Sequence, residues 1–181
     1  MTEMAQNVQA VVKSVGNNVE IINYALEITK KQGGRSMTAQ GFSAGSFEGL
    51  AEGLKKSAEE NALEFILPPY EKRLNDIHTA VTPAHYGIAE TGTLVVVSRS
   101  ESLRIATMLP EVHIAVLNVS NIHTDSFALA DILDAELKSS PGYLAFITGA
   151  SRTADIERVL TIGVHGPKEL HILLMEEKAN D

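Results

Sequence analysis

Residues 94–98 read Leu-Val-Val-Val-Ser, and Ile172-Leu-Leu-Met175 repeats that texture far along the chain. Short runs without polar alternation are the mark of strands covered on both faces. Working outward, Glu64–Leu67 before Pro68-Pro69, His113–Leu117, Tyr143–Thr148 and His171–Met175 join Leu94–Ser98 as candidate strands, separated by Gly, Pro, Ser and Asn. Helical patterns fall between them at Val81–Ala89, Ser126–Leu137 and Thr153–Leu160. The alternation predicts an α/β fold, a single domain whose mostly parallel sheet is covered by helices. Ahead of it, residues 1–63 read as a helical part. VEIINYALEITKK, from Val19 to Lys31, ends at Gly33-Gly34, and FEGLAEGLKKSAEEN, from Phe47 to Asn61, has Ser46 available as N-cap. Gly45, Gly49 and Gly53 either let a neighbouring backbone approach or mark a weak helix.

At 181 residues and 44% apolar, the chain can bury a core without disulfides or metal. It has no cysteine, so the polypeptide cannot itself ligate an iron–sulfur cluster through thiolates, form a disulfide or offer a thiol nucleophile. A net charge of −8 argues against a nucleic-acid backbone or an anionic membrane as partner. No apolar run reaches the roughly 18–20 residues of a membrane span. Residues 1–7, Met-Thr-Glu-Met-Ala-Gln-Asn, have neither the basic nor the apolar stretch of a secretion signal, so a cytoplasmic protein is expected.

Three segments can carry chemistry. Gly149-Ala-Ser-Arg-Thr-Ala-Asp-Ile-Glu157 follows a strand and leads into a helical stretch, where outward backbone N–H groups favour an anion. Ser151 or Thr153 would cap that helix, Arg152 would pair with a carboxylate or phosphate, and Asp155 would lie in the first turn; the same string also reads as an ordinary capped helix with an Arg152–Asp155 pair. Gly163-Val-His-Gly-Pro-Lys168 is a tight turn that presents His165 and Lys168, as an acid/base site or simply as a strand entry. Ile88-Ala-Glu-Thr-Gly-Thr93 sets Glu90 beside hydroxyls at a junction read as buried. There it is either a proton-handling or nucleophilic carboxylate, or one half of a structural pair with Arg99 or Arg104. The six histidines show no metal-ligand spacing, and P-loop, dinucleotide and nucleophile-elbow motifs are missing.

In combination, Ala89-Glu-Thr-Gly-Thr-Leu94, then Arg104 through Leu109-Pro110-Glu-Val-His-Ile-Ala115, then Thr148–Glu157 with Gly163–Lys168, resemble the LUD domain of the lactate utilization protein C family over roughly residues 80–175. The resemblance implies a fold similar to the ribose-5-phosphate isomerase and CoA-transferase-like group. It also implies a cytoplasmic subunit of a system that oxidises L-lactate to pyruvate, with iron–sulfur clusters expected only in partner subunits and no cofactor in this chain. Carried over by position, the family's marked residues are Glu90, Thr91, Gly92, Thr93, Arg104, Pro110, His113, Gly149, Ser151, Arg152, Thr153, Asp155, Gly163, His165, Gly166 and Pro167. Ala150 departs from the family's usual proline. On this reading Glu90 and His165 handle protons, while Thr91–Thr93, Arg104, Gly149, Ser151–Thr153, Asp155 and Lys168 line a crevice for a small anion. Glu90-Thr-Gly92 also resembles the Glu-x-Gly of CoA-transferases, which would make the chain an independent acyl-CoA or sugar-phosphate-type enzyme. A ligand-free scaffold holding the cluster subunits is the third reading.

Overall fold

The computed structural model describes residues 1–42, 47–139, 142–153, 161–162 and 166–176. The chain opens on a short helix, α1 (Thr2–Asn7), and an extended run, β1 (Val11–Val15). Asn17 then caps α2 (Asn18–Lys31) by accepting from the Glu20 N–H, and the Glu20 carboxylate takes the Gly16 N–H in return. At the far end Gly33 adopts φ 76°, which lets the Gly34 N–H reach back to the Thr29 carbonyl. β2 (Ser36–Ala39), α3 (Leu50–Glu60) and the two-residue β3 (Glu64–Phe65) come next. α3 begins later than its sequence pattern because Gly49, at φ 72°, holds the N-cap position; Ser46, the expected cap, and Gly45 lie outside the described residues. Gly53 proves to be a close-approach residue: a Cβ there would stand 2.8 Å from Ile22 Cδ1, so its absence lets α3 settle on α2.

Residues 81–89 form no helix. β4 (Thr79–Pro83) and β5 (Tyr86–Ile88) occupy them, because Pro83 has no N–H for a helix and disfavours helical torsions at Thr82. Then follow β6 (Thr93–Ser98), α4 (Glu101–Met108), β7 (Val112–Asn118), β8 (Ile122–His123), α5 (Ala130–Ser139) and β9 (Tyr143–Ile147). The paired dipeptides β10 (Arg152–Thr153) and β11 (Thr161–Ile162) precede β12 (Glu169–Met175). The helix expected over Thr153–Leu160 therefore starts in a strand residue, and residues 154–160 lie outside the described residues.

Six strands, all parallel, make the main sheet in the order β1-β12-β7-β4-β2-β3. Residues 1–63 thus supply strands β1 and β2 as well as helices, a correction to their helical reading. One face of the sheet carries α2 and α3 over a core that includes Ile21, Ala25, Leu54, Ile114 and Leu173. The other face packs α1 and a second sheet, β8-β5-β6-β9, over Ala5, Leu94, Ala115, Leu117 and Ile172. Strand order reverses between β2 and β4: β3 lies outward of β2, while β7 and β12 extend the other way from β4. In open α/β sheets the crevice for a ligand opens beyond the carboxyl ends at such a point. Among the described residues no helix is long and apolar enough to cross a membrane.

Candidate functional site

β6 and β9 are antiparallel neighbours with Leu94 opposite Ile147, which sets the residues before β6 beside those after β9. Thr93 Oγ1 joins them, 2.7 Å from Thr91 Oγ1 and 2.8 Å from Thr148 Oγ1. The Glu90–Thr93 turn and the start of the Gly149 turn therefore meet in one ladder of hydroxyls. Thr93→Val keeps the shape of the buried side chain and removes both bonds, so it is expected to cost about 1 kcal/mol, read from a urea unfolding midpoint at unchanged slope.

The glycines of both turns face residues 5–8 of the same chain. Gly92 sits at φ 67° and a Cβ on it would lie 2.3 Å from the Ala5 backbone nitrogen; Gly149 sits at φ 74° and its Cβ would lie 2.3 Å from the Val8 carbonyl oxygen. The turns clamp the last turn of α1 and the residue that follows it. The Ser151 N–H, expected to point outward to an anion, donates to the Pro167 carbonyl at 2.9 Å and ties this turn to the one before β12. Lys168 Nζ lies 2.7 Å from Glu111 Oε2, and that bond holds the Glu111 carboxyl below the usual carboxylate range. Arg104 pairs with Glu101 one turn earlier on α4 and stands over the Tyr143 ring at 6.0 Å. Arg99 pairs with Glu136 at 2.8 Å, so neither arginine expected to clamp Glu90 is seen to do so. Glu90 itself is exposed at the tip of the β5–β6 turn, where its N–H donates to the Thr124 carbonyl. That corrects the buried junction: both strands are covered, but the turn projects from them. Arg152 and Thr153 form β10, while Asp155, Gly163 and His165 lie outside the described residues.

His113, marked by the resemblance, is buried on β7. Its Nε2 is 2.9 Å from Thr82 Oγ1, its Nδ1 has no partner, and burial, with the nearby His171 adding to it, pushes its pKa down to about 4. Among the described residues no group of three or more His, Asp or Glu could hold a metal ion.

The sequence reading passed over a recess of about 310 Å³ at the carboxyl ends of the main sheet, lined by Gly41, His85, Arg99, Ser100, Leu103 and Glu136 among others. The Val97 N–H donates to His85 Nδ1 at 3.1 Å, which puts the proton of the neutral ring on Nε2. Burial pushes the His85 pKa down against the pull of Glu136, so the ring stays neutral near pH 7. A cation, a carboxylate and a neutral N–H donor in one recess can hold a small polar molecule and orient it. The signal was present at Pro83: a strand ending there leaves His85 just beyond its carboxyl end, whereas the helical reading hid it.

An all-parallel sheet backed by a mixed one, with a Glu-Thr-Gly-Thr turn tied through hydroxyls to a Thr-Gly turn, defines the class. The chain belongs to the LUD domain family, whose model matches residues 1–175. It is 30% identical over 159 residues to protein YkgG of Escherichia coli K12, covering 84% of this chain and 68% of that protein. To lactate utilization protein C it is 30% identical over 110 residues for Bacillus subtilis and 33% over 94 for Geobacillus kaustophilus, covering 59% and 50% of this chain. It spans less than half of those two proteins, 46% and 39% of their length. A crystal structure of a DUF162 family protein from Deinococcus radiodurans shares the fold, with a TM-score of 0.65 at 19% identity over 96% of this chain and 92% of that one.

Proposed function

We propose that the chain is a lactate utilization protein C-like subunit of a cytoplasmic system that oxidises L-lactate to pyruvate, working beside iron–sulfur partner subunits and binding a small anion. The observation that carries this reading is the family match over residues 1–175, with lactate utilization proteins C among the relatives. Converting the alcohol to the ketone releases two electrons and two protons. A chain without cysteine has no thiolate to hold a cluster, so in this reading the electrons pass to clusters in the partners. What this chain contributes is binding and assembly.

The test is co-purification from cells that express the tagged chain with the iron–sulfur subunits of the same organism. A brown, cluster-bearing complex is the expected product, and recovery of the bare chain would contradict the reading. The CoA-transferase alternative has its own readout in intact mass after incubation with acyl-CoA. An unmodified chain is expected, whereas an adduct on the exposed Glu90 would put an independent enzyme in place of the subunit.

A further inference from the structure

We propose that the recess beyond β2 and β4 binds a small 2-hydroxy carboxylate, with Arg99 and His85 on the carboxylate and Glu136 on the hydroxyl. The choice of acid rests on the subunit reading above; the place rests on the fold alone.

The recess opens where strand order reverses. Gly41 follows β2 and His85 follows β4, one on each strand flanking the reversal, and both residues line the space. Gly41 is at φ 85°, and a Cβ on it would stand 2.9 Å from Leu103 Cδ1 and 3.2 Å from Pro83 Cδ, so a side chain would crowd the inner wall. A volume of about 310 Å³ is at the small end of ligand pockets and suits an acid of a few heavy atoms.

The lining fits two different polar groups on one molecule. The His85 ring is fixed by the Val97 N–H and has its remaining N–H to offer. Arg99 lies 2.8 Å from Glu136, and its planar fork suits a carboxylate that joins or replaces that contact. Glu136 accepts from Arg99 and from the Tyr86 hydroxyl at 3.3 Å, and an ionised carboxylate has lone pairs enough to accept a hydroxyl of the ligand as well. A keto acid has no hydroxyl to donate to the carboxylate, and inorganic phosphate brings extra negative charge against Glu136.

Calorimetric titration of the full chain with L-lactate, pyruvate and inorganic phosphate tests the proposal. L-lactate should bind tightest. Arg99→Gln should weaken it about tenfold or more, by loss of a charge-assisted bond. His85→Asn retains an acceptor for the Val97 N–H but its amide N–H groups end short of the place of the imidazole Nε2–H, so weakened binding in a variant with an unchanged melting temperature reports that donor. Glu136→Gln should shrink the gap between lactate and pyruvate. Lactate binding that ignores both Arg99→Gln and His85→Asn overturns the site and leaves the subunit reading intact. So does a complete lack of lactate binding by a chain that still assembles with iron–sulfur subunits. Lactate binding lost in these variants by a chain that does not assemble supports the site and removes the subunit reading.

Discussion

Gly92→Ala is expected to lower the unfolding free energy by about 3 kcal/mol. Two costs combine. A non-glycine residue at φ 67° is in the left-handed region, worth roughly 1–2 kcal/mol against it. The new methyl would also stand 2.3 Å from the Ala5 nitrogen, which is backbone in a fully buried residue and cannot swing aside; overpacking of that kind adds roughly 1–3 kcal/mol. Gly33→Ala separates the two costs. Gly33 has nearly the same torsion, φ 76°, but nothing lies within 4 Å of its Cβ position, so about 1 kcal/mol is expected there. Urea unfolding of both variants is the check. Equal losses would mean that residues 5–8 are not held against the turn.

The second large effect is a loss of stability on acidification that runs through His113. Its ordinary pKa of 6.5 falls to about 4 in the folded chain, so below about pH 6.5 the unfolded form takes up a proton that the folded form refuses. Stability is fully present above pH 6.5 and declines by up to about 1.4 kcal/mol per pH unit as pH falls towards 4, about 3 kcal/mol over the window. Other carboxylates and histidines add their own slopes, and the comparison that isolates His113 is His113→Gln. Glutamine offers Thr82 a hydrogen-bond partner and does not titrate, so the variant's curve of stability against pH should be flatter between pH 7 and 4.5. Parallel curves would show that the burial of His113 does not control this loss.

The parts of the fold legible in the sequence are those whose side chains repeat a strong pattern. Leu94-Val-Val-Val97 is covered on both faces and looked so, although it lies in the second sheet, antiparallel to β5 and β9, and α2 announced itself through its apolar stripe, its closing lysines and Gly33-Gly34. β2 is covered at all four positions, yet Ser-Met-Thr-Ala contains two hydroxyl residues whose burial no periodicity reveals. β1 is an edge strand whose Val-Val-Lys-Ser-Val alternates poorly because most of it faces outward. In Val81–Ala89 the apolar spacing imitated a helix, and Pro83 and Gly87 were the contrary signals. The meeting of Thr91, Thr93 and Thr148 was foreseeable in kind, since both turns border strands. That Gly92 and Gly149 would be closed by Ala5 and Val8 was not, because a positive-φ glycine says only that something comes near, and a ligand and the chain's own backbone leave the same trace.

The most direct measurement is reconstituted turnover: oxidation of L-lactate by the iron–sulfur subunits, followed by reduction of an artificial electron acceptor, with and without this chain. Pyruvate formation should require the chain and should fall in Arg99→Gln while the complex still forms. Full turnover by the cluster subunits alone would contradict the account.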